Sequence, residues 1–169
     1  PTQLMATASG TNVSCNGGND GTATVSVGGG TPNYSFSWVG SLGGVVPVAQ
    51  VNNQSINTLV AGTYTVTVTD QNGCTATSTY VVTQPDVLVA TASGTNVSCN
   101  NGSNGTATVT VQGGTASYNF SWVASNGGAI PSGQQNNQSL TLLIAGTYTV
   151  TVTDGHFCTA TSMYVVTQP

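Results

Sequence analysis

Lysine and arginine are entirely absent from the 169 residues, histidine occurs once (His156), and the acids are Asp20, Asp70, Asp86 and Asp154. Each shortage excludes something. Binding to nucleic acid rests on cationic side chains neutralising phosphates, so a chain with no such side chain is not a nucleic-acid partner. Attraction to anionic membrane surfaces fails for the same reason. A net charge of -4 over this length steers little by electrostatics. Nucleophilic catalysis needs an activated nucleophile, a base and an orienting group. With no Lys, Arg or Glu and a single His, that set is missing. The chain is therefore not expected to be an enzyme, and no cofactor is expected. Long apolar runs are lacking too. No stretch of about 18 apolar residues exists, so no membrane insertion by a helix is expected in this segment. Disorder pairs low hydrophobicity with high charge, and the charge is absent.

What remains is rich in Thr, Ser, Gly, Asn and Val, with Val, Ile, Thr, Tyr, Phe and Trp recurring in short blocks. These residues favour strands. The chain repeats itself. Cys15 matches Cys99, Trp38 matches Trp122, Tyr64 matches Tyr148, Asp70 matches Asp154 and Cys74 matches Cys158, every pair 84 residues apart. Roughly 58 of the 84 aligned positions are identical, far above what shared composition gives. A recent duplication and a longer array are expected. The boundaries fall at 1–84 and 85–169. The first residue is Pro1 and no signal peptide is present, so a mature segment or fragment is expected. The join at Val81-Val82-Thr83-Gln84-Pro85 has no Gly/Ser linker, and proline stiffens both itself and the residue before it.

Within a copy, period-two alternation predicts strands at 22–27, 34–38 and 63–69, with others near 4–9, 45–49, 55–59 and 74–83. Turn-formers separate them, and Asn72-Gly73 is a strong hairpin signal. About seven short antiparallel strands in under 100 residues point to an all-β protein of two tandem immunoglobulin-like sandwiches. The expected core is Val25, Val27, Phe36, Trp38, Leu59, Tyr64, Val66, Val68 and Tyr80, with their counterparts in the second copy.

Three elements carry a resemblance to a known family. They are Val13-Ser14-Cys15-Asn16-Gly17-Gly18-Asn19-Asp20-Gly21-Thr22-Ala23, then Gly29-Gly30-Thr31-Pro32-Asn33-Tyr34-Ser35-Phe36-Ser37-Trp38, then Ala61-Gly62-Thr63-Tyr64-Thr65-Val66-Thr67-Val68-Thr69-Asp70 with Gly73-Cys74. Together they resemble the SprB repeat of Bacteroidetes cell-surface proteins. The resemblance implies long secreted or surface-borne bacterial proteins, adhesins of gliding motility among them. The second copy departs at Asn101 and Asn104, in place of Gly17 and Asp20, and at His156-Phe157, in place of Asn72-Gly73.

The cysteines are the first candidate sites. Two per copy suit an oxidising compartment. Cys15 and Cys74 lie on separate strands of one copy, as do Cys99 and Cys158. The expected disulfides are therefore Cys15–Cys74 and Cys99–Cys158, with pairing between copies as an alternative. Zinc would want a Cys-x-x-Cys spacing, which is absent. Asp20, in a Gly/Asn-rich turn, is a candidate calcium ligand, with a plain turn as the default. Asp70 and Asp154 are expected to cap a hairpin, and His156 to sit exposed in a turn. Trp38 and Trp122 read as core rather than sugar-stacking residues. Sequons stand at Asn12, Asn33, Asn53, Asn96 and Asn137, among others. The threonines at 63, 65, 67 and 69 share one face. The expected role is a structural segment of an extracellular filament or stalk, whose partners are neighbouring repeats in self-assembly. The alternative is an adhesin module binding surface glycans through the loops 40–54 and 124–138.

Overall fold

The computed structural model describes residues 2–169. The chain divides into two compact units, Pro1–Pro85 and Asp86–Pro169. Each is a sandwich of two three-stranded antiparallel sheets.

In the first unit, one sheet has the order β1 (Met5–Thr11), β2 (Gly21–Gly28), β4 (Ser55–Leu59). The other has β3 (Ser35–Ser41), β5 (Gly62–Thr69), β6 (Thr75–Val82). Alternation sets the faces. Along β5, Tyr64, Val66 and Val68 point inward and are buried, while the threonines between them are half-buried on the outer face. Along β2, Gly21, Ala23 and Val25 are buried in the same way. This is the pattern of a strand that hides one face. β1 and β6 run side by side in the same direction. The Ala8 N–H donates to Ser78 Oγ (2.9 Å) and the Val13 N–H to the Thr83 carbonyl (3.0 Å). These bonds close one side of the sandwich.

The core comprises Val13, Ala23, Val25, Trp38, Ile56, Leu59, Tyr64, Val66, Val68 and Val82. Val27, Phe36 and Tyr80, expected at its centre, pack against it half-buried. Tyr64 is fully buried, and its hydroxyl donates to the Val60 carbonyl (2.8 Å) while accepting from the Val45 N–H (3.3 Å). A tyrosine tied to backbone just upstream is a recurrent device of immunoglobulin-like sandwiches.

Among the described residues six strands form in each unit, where about seven were expected. The stretch 45–49 is irregular and runs into a single 3₁₀ turn, Val48–Gln50. Val45 and Val48 are exposed there, so they gain nothing from a pleat. The segment serves instead as a strap crossing between sheets. The Trp38 N–H donates to the Val51 carbonyl (2.8 Å), the Trp38 indole N–H to the Asn53 carbonyl (2.9 Å), and the Val25 N–H to the Gln54 carbonyl (3.1 Å).

The second unit repeats the plan. Its sheets are β7 (Val89–Thr95), β8 (Gly105–Gln112), β10 (Ser139–Leu143) and β9 (Asn119–Ser125), β11 (Gly146–Thr153), β12 (Thr159–Val166). Tyr148 takes the place of Tyr64, donating to the Ile144 carbonyl (2.8 Å).

Candidate functional site

Strand direction gives each unit an inlet pole and an outlet pole. At the inlet of the first unit, the Gly30 N–H donates to the Thr2 carbonyl (2.9 Å), and the loop after β2 meets the β5–β6 turn. At the outlet, the Thr83 N–H donates to Asn12 Oδ1 (3.0 Å), the Gly17 N–H to Gln84 Oε1 (2.8 Å) and Asn16 Nδ2 to the Pro85 carbonyl (2.9 Å). The chain thus enters a unit at one end and leaves it at the other.

The cysteines mark these poles. Cys15 lies in the outlet loop, one residue from Asn16 and its bond to Pro85. Cys74 lies in the inlet turn, immediately before β6. The whole of β6 separates them, roughly 26 Å for eight residues at about 3.3 Å each. A disulfide holds its two Cα atoms within about 7 Å. The expected bonds Cys15–Cys74 and Cys99–Cys158 therefore do not form. Cys74 and Cys99, one from each expected pair, are free, exposed thiols. Neither Cys15 nor Cys74 lies on a strand as expected: one sits in the loop between β1 and β2 and the other in the turn before β6, at opposite ends of the sandwich.

The inlet turn is built around Asp70. Its Oδ2 accepts from the Thr31 N–H (2.9 Å), and its Oδ1 accepts from the N–H groups of Asn72 and Cys74 (both 2.9 Å). The Asp70 N–H in turn donates to the Cys74 carbonyl (2.9 Å). The Thr31 N–H, then those of Cys74 and Asn72, hold the carboxyl below its ordinary range, overcoming the opposite pull of burial. The Cys74 side chain adds to this. Cys74 is therefore pinned at both its backbone groups.

In the second unit Asp154 does the same with Thr115, His156 and Cys158. Burial there pushes its carboxyl up, but bonds from Thr115, Cys158 and His156, with the charge of His156, bring it below the ordinary range. His156 Nδ1 lies 3.1 Å from Thr115 Oγ1, in the position where Asn72 meets Thr31 in the first unit. Phe157 replaces Gly73 and keeps its left-handed backbone, with φ 65° against 82°. Beside Cys74 the inlet pole holds a cleft of about 320 Å³ bordered by Leu4, Gly30 and Asp70.

Asp20, the calcium candidate, accepts from the Ser14 N–H through Oδ1 (2.9 Å). Asn104 makes the equivalent bond to the Ser98 N–H (3.0 Å) without a carboxylate, so the turn does not require charge. Among the described residues, no group of three or more His, Cys, Asp or Glu side chains is placed to hold a metal. Trp38 and Trp122 are buried at 3% exposure, so neither offers a face to a sugar. A wide, shallow cleft of about 810 Å³ lies instead over Tyr34, Phe36 and the side chains of Asn52, Asn53 and Gln54. Sequence reasoning named the loop 40–54 and missed the two aromatics next to it. On the outer face of β5 and β6, Thr65 and Thr79 exchange a hydroxyl bond (3.0 Å). No helix among the described residues is long and apolar enough to cross a membrane.

The SprB repeat, whose resemblance the sequence carries, matches residues 7–43 and again 91–128, once in each unit. No curated protein matches the chain. Among solved structures, the chain is similar to Dscam in a structure addressing isoform specificity, at 18% identity and TM-score 0.38, covering 100% of this chain and 44% of that one. It is similar to the ectodomain of mouse nectin-like molecule 4 at 18% identity and TM-score 0.39, covering 95% and 62%. It is also similar to a C-terminal fragment of intimin, solved with the intimin-binding domain of its translocated receptor, at 16% identity and TM-score 0.47, covering 98% and 63%. The chain thus spans less than two thirds of each of these proteins.

Proposed function

We propose that this chain is a structural segment of a filament or stalk on a bacterial surface, built from tandem β-sandwiches. The observation that carries the reading is the opposite-pole path of the backbone. A unit entered at Thr2 and left at Pro85 has its two chain ends at opposite poles, which suits a tandem array. The SprB match in each unit agrees with a surface-borne repeat of structural or adhesive type. The composition fits exposure outside the cell. A chain without Lys or Arg offers no cleavage site to trypsin-type proteases. Its nearly uncharged surface does little to oppose lateral association, so neighbouring repeats are its natural partners. Electron microscopy of the native material tests this. Straight filaments with a regular axial repeat of one or two units support it. Flexible single threads, or compact particles ending in a separate head, refute it.

A second reading is favoured by the cleft over Tyr34 and Phe36. Two aromatic rings beside three amide side chains are the chemistry that holds sugars, so the units would act as an adhesin for surface glycans. Binding of the chain to a glycan array, lost in Tyr34→Ala, supports this reading. Absence of binding refutes it.

A further inference from the structure

Asparagine followed by any residue but proline and then by Ser or Thr is the acceptor for N-linked glycans, and the proposed filament uses none of the chain's sequons. The fold sorts them. At Asn33 the side-chain nitrogen is engaged, donating to Gln71 Oε1 (3.2 Å), and at Asn104 it donates to Ser98 Oγ (2.6 Å). At Asn12 and Asn96 the side-chain oxygen holds the Thr83 and Thr167 N–H groups (both 3.0 Å). The middle residue of each of those two sequons, Val13 or Val97, is buried. Asn53 and Asn137 differ. Each is exposed, just before β4 or β10, and each has a fixed backbone. The Asn53 carbonyl accepts from the Trp38 indole (2.9 Å), and its N–H donates to the Gln50 carbonyl (2.9 Å). The Asn137 carbonyl accepts from the Trp122 indole (2.9 Å), and its N–H donates to the Gln134 carbonyl (3.0 Å). Among the described residues, no hydrogen bond engages either side chain.

What lies beside Asn53 is the second observation. It lines the wide cleft over Tyr34 and Phe36. The wall of that cleft is set in advance: the Tyr34 hydroxyl donates to the Gly29 carbonyl (2.7 Å) and Gln54 Nε2 to the Val25 carbonyl (3.0 Å). Tyr118 and Gln138 make the same two bonds in the second unit, to Gly113 (2.7 Å) and Val109 (3.0 Å). We infer that Asn53 and Asn137 carry N-linked glycans, and that the first sugar on Asn53 lies in the cleft against Tyr34 and Phe36. The aromatic rings take the apolar face of the sugar, and the neighbouring amides take its hydroxyls. In the transfer, Nδ2 bonds to the anomeric carbon of an oligosaccharide carried as its lipid pyrophosphate. The bond from that carbon to the pyrophosphate oxygen breaks, the lipid pyrophosphate leaves with the electron pair, and the amide gives one proton to a base of the transferase. The inference goes beyond the filament reading and competes with the adhesin reading, because a sugar fixed there fills the cleft from within.

The native protein is isolated from cells that make it and cleaved with thermolysin, since trypsin finds no site. Its glycopeptides are mapped by mass spectrometry. Sugar is expected on Asn53 and Asn137, with Asn12, Asn33, Asn96 and Asn104 bare. Bare Asn53 and Asn137 overturn the inference, and so does sugar spread evenly over all the sequons. A bare Asn53 in a chain that binds a glycan array through Tyr34 leaves the adhesin reading in its place. The seat of the sugar is read separately. An amidase that frees the glycan and leaves aspartate at 53 is applied to the chain and to its Tyr34→Ala variant, both made in the same cells. Tyr34→Leu serves in the same way if the smaller residue does not fold. The urea midpoint is expected to fall on removal of the sugar, and to fall less in the variant. The same charge appears in both, so the difference reads the ring alone. Equal falls, or none in either, overturn the placement in the cleft.

Discussion

Replacing Tyr64 by Phe removes one oxygen from the centre of the first unit and leaves the ring in place. The hydroxyl donates to the Val60 carbonyl at 2.8 Å and accepts from the Val45 N–H at 3.3 Å, and the residue is fully buried. The variant therefore orphans a carbonyl and strands an N–H of the irregular segment that leads to the strap. A buried polar group left unpaired costs about 1–3 kcal/mol, so a loss of about 2 kcal/mol is expected. For a unit of this size each kcal/mol moves the melting temperature by roughly 4–8 °C. The first unit should then melt roughly 8–16 °C lower. Scanning calorimetry of the whole chain reads this directly. Y64F pulls one of the two unit transitions down, and Y148F, which loses the bond to Ile144, pulls down the other. The double variant moves both. A shift below about 3 °C in either single variant would show that the tie between tyrosine and backbone contributes little, and the reasoning would fail.

Other outcomes follow from the same geometry. Phe157→Gly relieves a left-handed backbone at an exposed phenylalanine and should stabilise the second unit by about 1 kcal/mol, read from its urea midpoint. Gly10→Ala should destabilise the first unit by at least about 2 kcal/mol, because the new Cβ would lie 2.0 Å from the Thr22 carbonyl oxygen and 2.7 Å from Tyr80; a folded variant of unchanged stability would contradict the close approach of β1 to β2. Asp70 and Asp154 have carboxyls held below their ordinary range in the folded state. Their contribution to stability is thus fully present above the unfolded carboxylate pKa of about 3.9 and is lost as pH falls through the lower folded value. Urea midpoints should hold from neutral pH down to about 5 and then decline, and the D70N/D154N double variant should flatten that decline; an unchanged decline would remove these two groups from the account.

The strands were legible where one face is buried and the other is not. β5 writes this as Tyr64, Val66 and Val68 between threonines, and β2 as Ala23 and Val25 between hydroxyls. The stretch 45–49 misled because its valines suggest a strand although they face solvent, and Gly43-Gly44 and Pro47 were the signals of irregular chain. Thr58 and Leu142, both in the left-handed region, mark a bulge that no glycine announces. At the cysteines neither oxidation nor pairing was readable, since Cys74 and Cys99 are free thiols. The pairing was read from places along the chain, whereas a disulfide is decided by distance in space. The signal was nevertheless present. Cys15 stands just beyond the end of β1 and Cys74 just before the start of β6, and β1 and β6 run in the same direction. Such residues fall at opposite ends of a sandwich. The role of Asp70 as the anchor of its turn was expected from its place after a strand. Its reach to Thr31 could not be, since it joins segments 39 residues apart.

Pulled by its two ends, a unit loads β1 and β6 in opposite senses along a shared line, because the first strand and the last run side by side in the same direction and the chain enters at one pole and leaves at the other. The ties between them, from Ala8 to Ser78 and from Val13 to Thr83, are then sheared together rather than peeled apart one at a time. A block arranged in this way resists a steady tug at its ends better than it resists a pull that would lift one strand away from the other.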